Sequence, residues 1–195
     1  MTSVSSPTQT NTELYLSLSV ISSLLTEICE ETKSTPFNAH NKPHSKLFKY
    51  FFLETIPELS LHKYLLRIAS YTHIEESTLV IMLIYIDKLC SRYKLQLTYY
   101  NIYKIIAGAV LLAIKYNEDN YLLLDYYAKV CGLQLKQIKQ IEYVMLCLFD
   151  YNVYINEELF EKYQRNIITI IKEQKMNDSN NNNCYSNNSN NNNRT

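Results

Sequence analysis

The segment YYNIYKIIAGAVLLAIKY, residues 99–116, is apolar on nearly every side when wound as a helix. Such a helix is stable in water only when other elements surround it. The stretch therefore predicts the central helix of a bundle. It ends abruptly on charge, with Lys115 followed by Tyr116 and the acidic residues Glu118 and Asp119. A lysine in a last helical turn complements the helix dipole; it is equally suited to meet a partner. Gly108 sits inside the segment, where it costs about 1 kcal/mol relative to alanine, and a close helix crossing would account for it.

The remaining sequence agrees with an all-α fold. Two glycines and four prolines in 195 residues are too few for the tight turns of an all-β domain. The length suits one domain with a well-formed core. Residues 1–11 are rich in Ser and Thr and predict a disordered N-terminus. Leu14, Leu18, Ile21, Leu25 and Ile28, spaced by four and three, predict an amphipathic helix over residues 12–31. That apolar stretch is short and interrupted by serines, so no membrane span is expected. TKSTPFNAHNKPHSK, punctuated by Pro36 and Pro43, reads as a loop.

Four more helices follow in the pattern. ELSLHKYLLRIASYT places Leu61, Leu65 and Ile68 on one face, with Tyr64 beside them. ESTLVIMLIYIDKLCSRY carries Leu79, Leu83, Ile86 and Cys90 on its main stripe, with Val80, Ile84 and Asp87 on the neighbouring one. Ser77 is the candidate cap of that helix and Thr98 of the apolar central one. LLLDYYAKVC stops at Gly132, which suits a left-handed C-cap, and LKQIKQIEYVMLCLF aligns Leu135, Ile138, Ile141, Met145 and Leu148. A final helix over residues 156–175 has Phe160, Tyr163, Ile167, Ile170 and Ile171 on one side; the Asn-rich residues 176–195 predict a disordered tail.

The chemistry legible in the chain is not catalytic. Nineteen basic and nineteen acidic residues cancel, whereas a nucleic-acid binder replaces phosphate counterions with a basic excess. No nucleic acid is expected as a partner. The five cysteines are scattered and never form a CxxC pair, which predicts free thiols in a reducing compartment. No glycine-rich phosphate loop, metal-ligand cluster or nucleophile motif is present, and His40 and His44 are flanked by prolines rather than set on a helix. The expectation is a protein without cofactor or metal, and not an enzyme.

Several fragments in register, IYIDKL, LLAIKYNED, YYAKVCGL and QIEYVMLCLFDYNVYI, together resemble a cyclin box, and among cyclins the single-box phosphate-regulon and plant P/U types. The resemblance covers residues 44–155. It implies a five-helix cyclin box with additional N-terminal and C-terminal helices, acting as the regulatory subunit that binds and activates a cyclin-dependent protein kinase. It further implies a heterodimer with that kinase, in the nucleus or cytoplasm, with no catalytic group of its own. In the family, a lysine ending the third box helix and a glutamate in the fifth contact the kinase backbone; the matching residues are Lys115 and Glu142. The same resemblance marks Leu112, Tyr116, Leu146, Tyr151 and Val153 as the apolar surface around them. It also implies that Asp87 is internal and pairs with an arginine early in the first box helix. The matching position falls near Glu58, which leaves Arg67 as the arginine of that helix. The pattern that docks short substrate motifs in cell-cycle cyclins is replaced by PELSLHKYL. The alternative reading is a cyclin-box scaffold or transcription-related module that does not activate a kinase.

Overall fold

The computed structural model describes residues 7–34, 46–120 and 122–188. The elements in chain order are α1 (Pro7–Ser34), a 3-10 turn (Lys46–Phe51), α2 (Leu61–Thr72), α3 (Glu76–Tyr93), α4 (Ile102–Asn117), α5 (Leu124–Val130), α6 (Leu135–Leu148) and α7 (Glu157–Asn188). Among the described residues there is no strand. The loop expected around Pro36 and Pro43, with His40 and His44, lies outside the described residues.

Helix α4 is the hub. Ile102, Tyr103 and every residue from Ile105 to Ile114 are buried, as its apolar circumference requires. Helices α3 and α6 and the 3-10 turn all pack on it. The α4–α6 crossing explains Gly108. A Cβ built there would collide with Met145 Sδ and stand 2.6 Å from Ile141 Cγ2, closer than real Cβ atoms come to their neighbours. The two helices meet where one of them has no side chain.

Helix α1 covers the box. Leu18, Ile21, Leu25 and Cys29 are buried against the core, and the helix packs on α2, α3 and α7. Residues Thr12–Lys33 are long and apolar enough by composition to cross a membrane, but here their apolar stripe is used on the protein's own core. The stripe ends one residue later than expected, on Cys29 rather than on the exposed Ile28. The helix also starts earlier than expected, at Pro7, a residue whose fixed φ suits a first helical position.

Helix ends depart from the sequence expectation in instructive ways. Ser77 does not cap α3. It lies inside the helix, whose N-cap is Glu75. The N-cap is held from 43 residues away: Glu118 accepts from the Glu75 N–H at 3.0 Å, and it also accepts from the Thr78 hydroxyl. Asn117 adds bonds to Ser77 Oγ at 2.8 Å and Thr78 Oγ1 at 2.9 Å. Thr98 likewise does not cap α4 with its side chain, since its buried hydroxyl has no partner. Asn101 shapes that turn, its Oδ1 accepting from the Thr98 N–H at 2.9 Å and its Nδ2 donating to the Gln96 carbonyl at 2.9 Å.

The end of α5 follows expectation. Gly132 adopts φ +68°, with Gly132 N–H bonded to Lys129 O at 3.2 Å and Leu133 N–H to Ala128 O at 2.8 Å. That pair of bonds is a Schellman motif. At the start of α6, Gln137 Oε1 accepts from the Gln134 N–H at 2.9 Å, the glutamine side of a capping box. Helix α7 opens on Asn156, whose Oδ1 accepts from the Leu159 N–H at 2.9 Å. It buries Ile167 and runs on to Asn188, well into the segment for which composition predicts disorder. Once a helix is nucleated by its packed turns, each further residue adds a hydrogen bond at little extra cost.

The Arg67–Asp87 pair does not form. Asp87 is exposed on α3 and accepts from the Tyr163 hydroxyl of α7 at 2.6 Å. Arg67 instead donates to the Lys129 carbonyl of α5 at 3.1 Å. The two side chains serve opposite neighbours, so the internal aspartate implied by the cyclin resemblance is here a surface tie between α3 and α7.

Candidate partner-binding surface

The crossing at Gly108 also fixes the candidate site. On α4, Gly108, Leu112 and Lys115 follow one another at four and three residues and so share a face. On α6, Glu142 stands beside Ile141, which packs on Gly108. Seven residues beyond the point of closest approach, the two helices are joined by an ion pair between Lys115 Nζ and the Glu142 carboxylate. The side chains are 37% and 15% exposed respectively. The pair is thus half withdrawn from water and sits at the border of core and surface.

The apolar residues implied by the resemblance fall on both sides of that border. Leu112 is 5% exposed and belongs to the core. It supports the crossing and offers almost nothing to a partner, a correction to its assignment as surface. Leu146 and Val153 are half-buried against the core. Tyr116 is 43% exposed and Tyr151 is 62% exposed, so both present aromatic area to solvent.

The segment that carries Tyr151 is strapped down by α3. Asp150 and Tyr151 both have left-handed φ, at 51° and 59°, a conformation that costs non-glycine residues of order 1–3 kcal/mol each and persists only where the surroundings dictate it. The surroundings do so here. Tyr93 donates to Leu148 O at 2.6 Å, Tyr85 to Val153 O at 2.8 Å and Lys88 to Tyr154 O at 3.1 Å. Arg92 pairs with Asp150. Bonds from Asp150 N–H to Cys147 O at 3.1 Å and from Tyr151 N–H to Leu146 O at 2.8 Å close a second Schellman turn, with aspartate in the usual place of glycine. Burial in this strap pushes the Tyr85 hydroxyl far above its ordinary value, with Tyr116 nearby adding to the rise.

Sequence reasoning missed two groups near the site. Tyr143 and Tyr154 are both more exposed than Tyr116. Tyr143, Cys147 and Tyr151 interact along one flank; their spacing by four was the available signal. Asn117 and Glu118 were also overlooked as anchors, because their bonds to α3 join residues about forty positions apart.

A profile of the cyclin family, described as "Cyclin", matches residues 8–153. This chain belongs to the cyclin family. The matched span takes in α1 as well as the five helices that follow. Among curated relatives, it is 30% identical to Cyclin-U2-1 of Arabidopsis thaliana over 153 residues, covering 76% of this chain and 66% of that protein. It is 29% identical to Cyclin-U2-2 of the same plant over 161 residues, 80% of this chain and 68% of the relative. It is also 22% identical to PHO85 cyclin-7 of Saccharomyces cerevisiae over 166 residues, 77% of this chain and 58% of the relative. The chain thus spans about two thirds of the length of these plant cyclins. Members of the cyclin family are regulatory subunits rather than enzymes.

Proposed function

We propose that this cyclin is the regulatory subunit of a cyclin-dependent protein kinase, which it binds as a heterodimer and activates. The observation that carries the proposal is the Lys115–Glu142 pair at the α4–α6 crossing, bordered by the exposed rings of Tyr116 and Tyr151 and the half-buried Leu146 and Val153. A lysine ammonium has three donors and an ionised carboxylate several acceptor positions. The mutual bond uses one of each, so backbone carbonyl and amide groups of a partner helix have charged groups to meet. Charge-assisted bonds of this kind are strong when water is excluded around them, and aromatic side chains at the edge of the patch supply that exclusion.

In this reading α4 and α6 hold the kinase's regulatory helix inward, which completes the kinase's own Lys–Glu pair and orders its activation segment. The cyclin contributes differential affinity for the active conformation and no reacting group. Action in the nucleus or cytoplasm, without nucleic acid, membrane or cofactor, is part of the same proposal.

The test is affinity and activity against a panel of cyclin-dependent kinases. Lys115→Glu and Glu142→Lys are expected each to weaken binding by on the order of 2–5 kcal/mol, as for a desolvated charge partner in an interface, while the circular dichroism spectrum stays that of the parent. Wild-type binding and activation by both variants would show the surface to be wrong. If the parent chain captures no kinase, the scaffold role takes its place.

A further inference from the structure

A recess of about 270 Å³ lies between the 3-10 turn, the start of α4 and the start of α6, lined by Lys49, Tyr50, Lys104, Lys136, Gln137 and Gln140. Among the described residues that line it, three are lysines and none is acidic. This separation of charge occurs on a chain whose nineteen cations and nineteen anions cancel overall, so it is not a by-product of a basic composition.

Among the described residues, none of the three lysines is joined to a carboxylate in an ion pair. Lys104 Nζ donates to the Phe52 carbonyl at 2.8 Å, and Lys49 Nζ stands 5.0 Å from the centre of the Tyr50 ring. Both are contacts with neutral groups. Burial holds the Lys104 ammonium below its ordinary value, with Glu54 the carboxylate that acts against the shift. The opening turn of α6 lies beside the recess, and its dipole favours negative charge. The recess is set apart from the candidate kinase surface along α4, with Lys104 in the first turn and Lys115 in the last, and on α6 Gln140 and Glu142 flank the buried Ile141 in opposite directions, at about 100° per residue.

We propose that this recess docks a phosphorylated side chain on a partner polypeptide. The class follows from charge, size and shape. A phosphorylated residue brings about −1.5 to −2 charges and three acceptor oxygens, which matches a lining of three lysines and two glutamines better than one carboxylate does. The volume lies below the roughly 300 Å³ at which small-molecule sites begin, room for one modified side chain. A nucleic acid or an anionic membrane is read by basic groups spread along a surface, whereas these lysines are gathered around a single cavity. The inference stands independently of the kinase interface.

The experiment uses the full chain and a degenerate array of phosphoserine and phosphothreonine peptides, with their unphosphorylated counterparts beside them. The best binders are then measured by fluorescence anisotropy. Phosphorylated peptides are expected to bind and their counterparts to fail. Lys104→Gln and Lys136→Gln should each weaken binding on the order of tenfold, the effect of losing one charge-assisted hydrogen bond. Lys172→Gln, on α7, should leave it unchanged. Because Lys104 also ties down the Phe52 carbonyl, Lys136→Gln carries the test if Lys104→Gln disturbs folding by circular dichroism. The proposal is overturned if no peptide binds, if phosphorylation makes no difference, or if Lys136→Gln binds like the parent. It is equally overturned if single-stranded RNA or phosphatidylserine vesicles bind through the same lysines and phosphopeptides do not.

Discussion

The middle and the end of α4 meet the same neighbour, α6, by opposite means. At Gly108 the helices approach so closely that no side chain fits between them. At Lys115, two turns on, they are joined by an ion pair that is half open to water. Packing at the first place is a matter of shape, where errors of one methyl group are felt. Contact at the second is a matter of charge, where the net contribution to folding is small. The fold therefore rests on the crossing, and the surface beside it is free to serve a partner.

That division can be broken most forcefully at the crossing. Gly108→Leu forces a large side chain onto Met145 and Ile141, and overpacking of this kind costs about 1–3 kcal/mol or more. A lowered midpoint in urea is the expected outcome; an unchanged midpoint would mean that α4 and α6 are not in contact there. Gly132→Ala tests a turn rather than a crossing. Nothing lies within 4 Å of the added Cβ, so the expected loss of about 1–2 kcal/mol comes from the left-handed backbone alone.

Alkaline titration separates interior from surface more gently. Burial pushes the Cys29 and Cys90 thiols from 9.0 up to about 12, and Cys131 from 9.0 up to about 11. The unfolded chain releases these protons first, so their contribution to stability is complete below pH 9.0 and is lost as pH rises towards the folded values. Denaturation midpoints measured from pH 8 to 10.5 should fall, and a Cys90→Ala variant should show a shallower fall. A flat profile in the parent would mean that these thiols are not buried. The smallest effect belongs to the ion pair: a double-mutant cycle through Lys115→Ala and Glu142→Ala should give a folding coupling of about 0–1 kcal/mol. A coupling well above that would make the pair a structural element and weaken its assignment to a partner.

The bundle was legible because its information is periodic. Leu61, Leu65 and Ile68, or Ile138, Ile141, Met145 and Leu148, repeat at the helical interval and are buried, whereas Leu135, aligned with the second stripe, is exposed at the helix start. Gly108 was legible for a related reason, since a glycine in a strong helix invites the question of what stands opposite. The caps were not, because the groups that hold the start of α3 come from Asn117 and Glu118, far away in the chain. The same is true of Asp87 and Tyr163, which are 76 positions apart. Leu112 shows a different limit. In a helix apolar all round, spacing does not reveal which apolar residue reaches the surface, and Leu112 proves to be interior while its neighbour Tyr116 does not.

One turn at the end of α4 has a consequence for evolution and for engineering. Lys115 reaches α6, Tyr116 faces outward, and Asn117 and Glu118 hold the first turn of α3. Because successive helical side chains point about 100° apart, Lys115, Tyr116 and Asn117 face three directions, and Glu118, just past the helix end, joins Asn117 at Thr78. An insertion or deletion of a single residue there would rotate all of them out of place together. The KYNE turn is therefore inherited or grafted as a unit: a chimera that borrows only its lysine would take the contact without the scaffold that aims it.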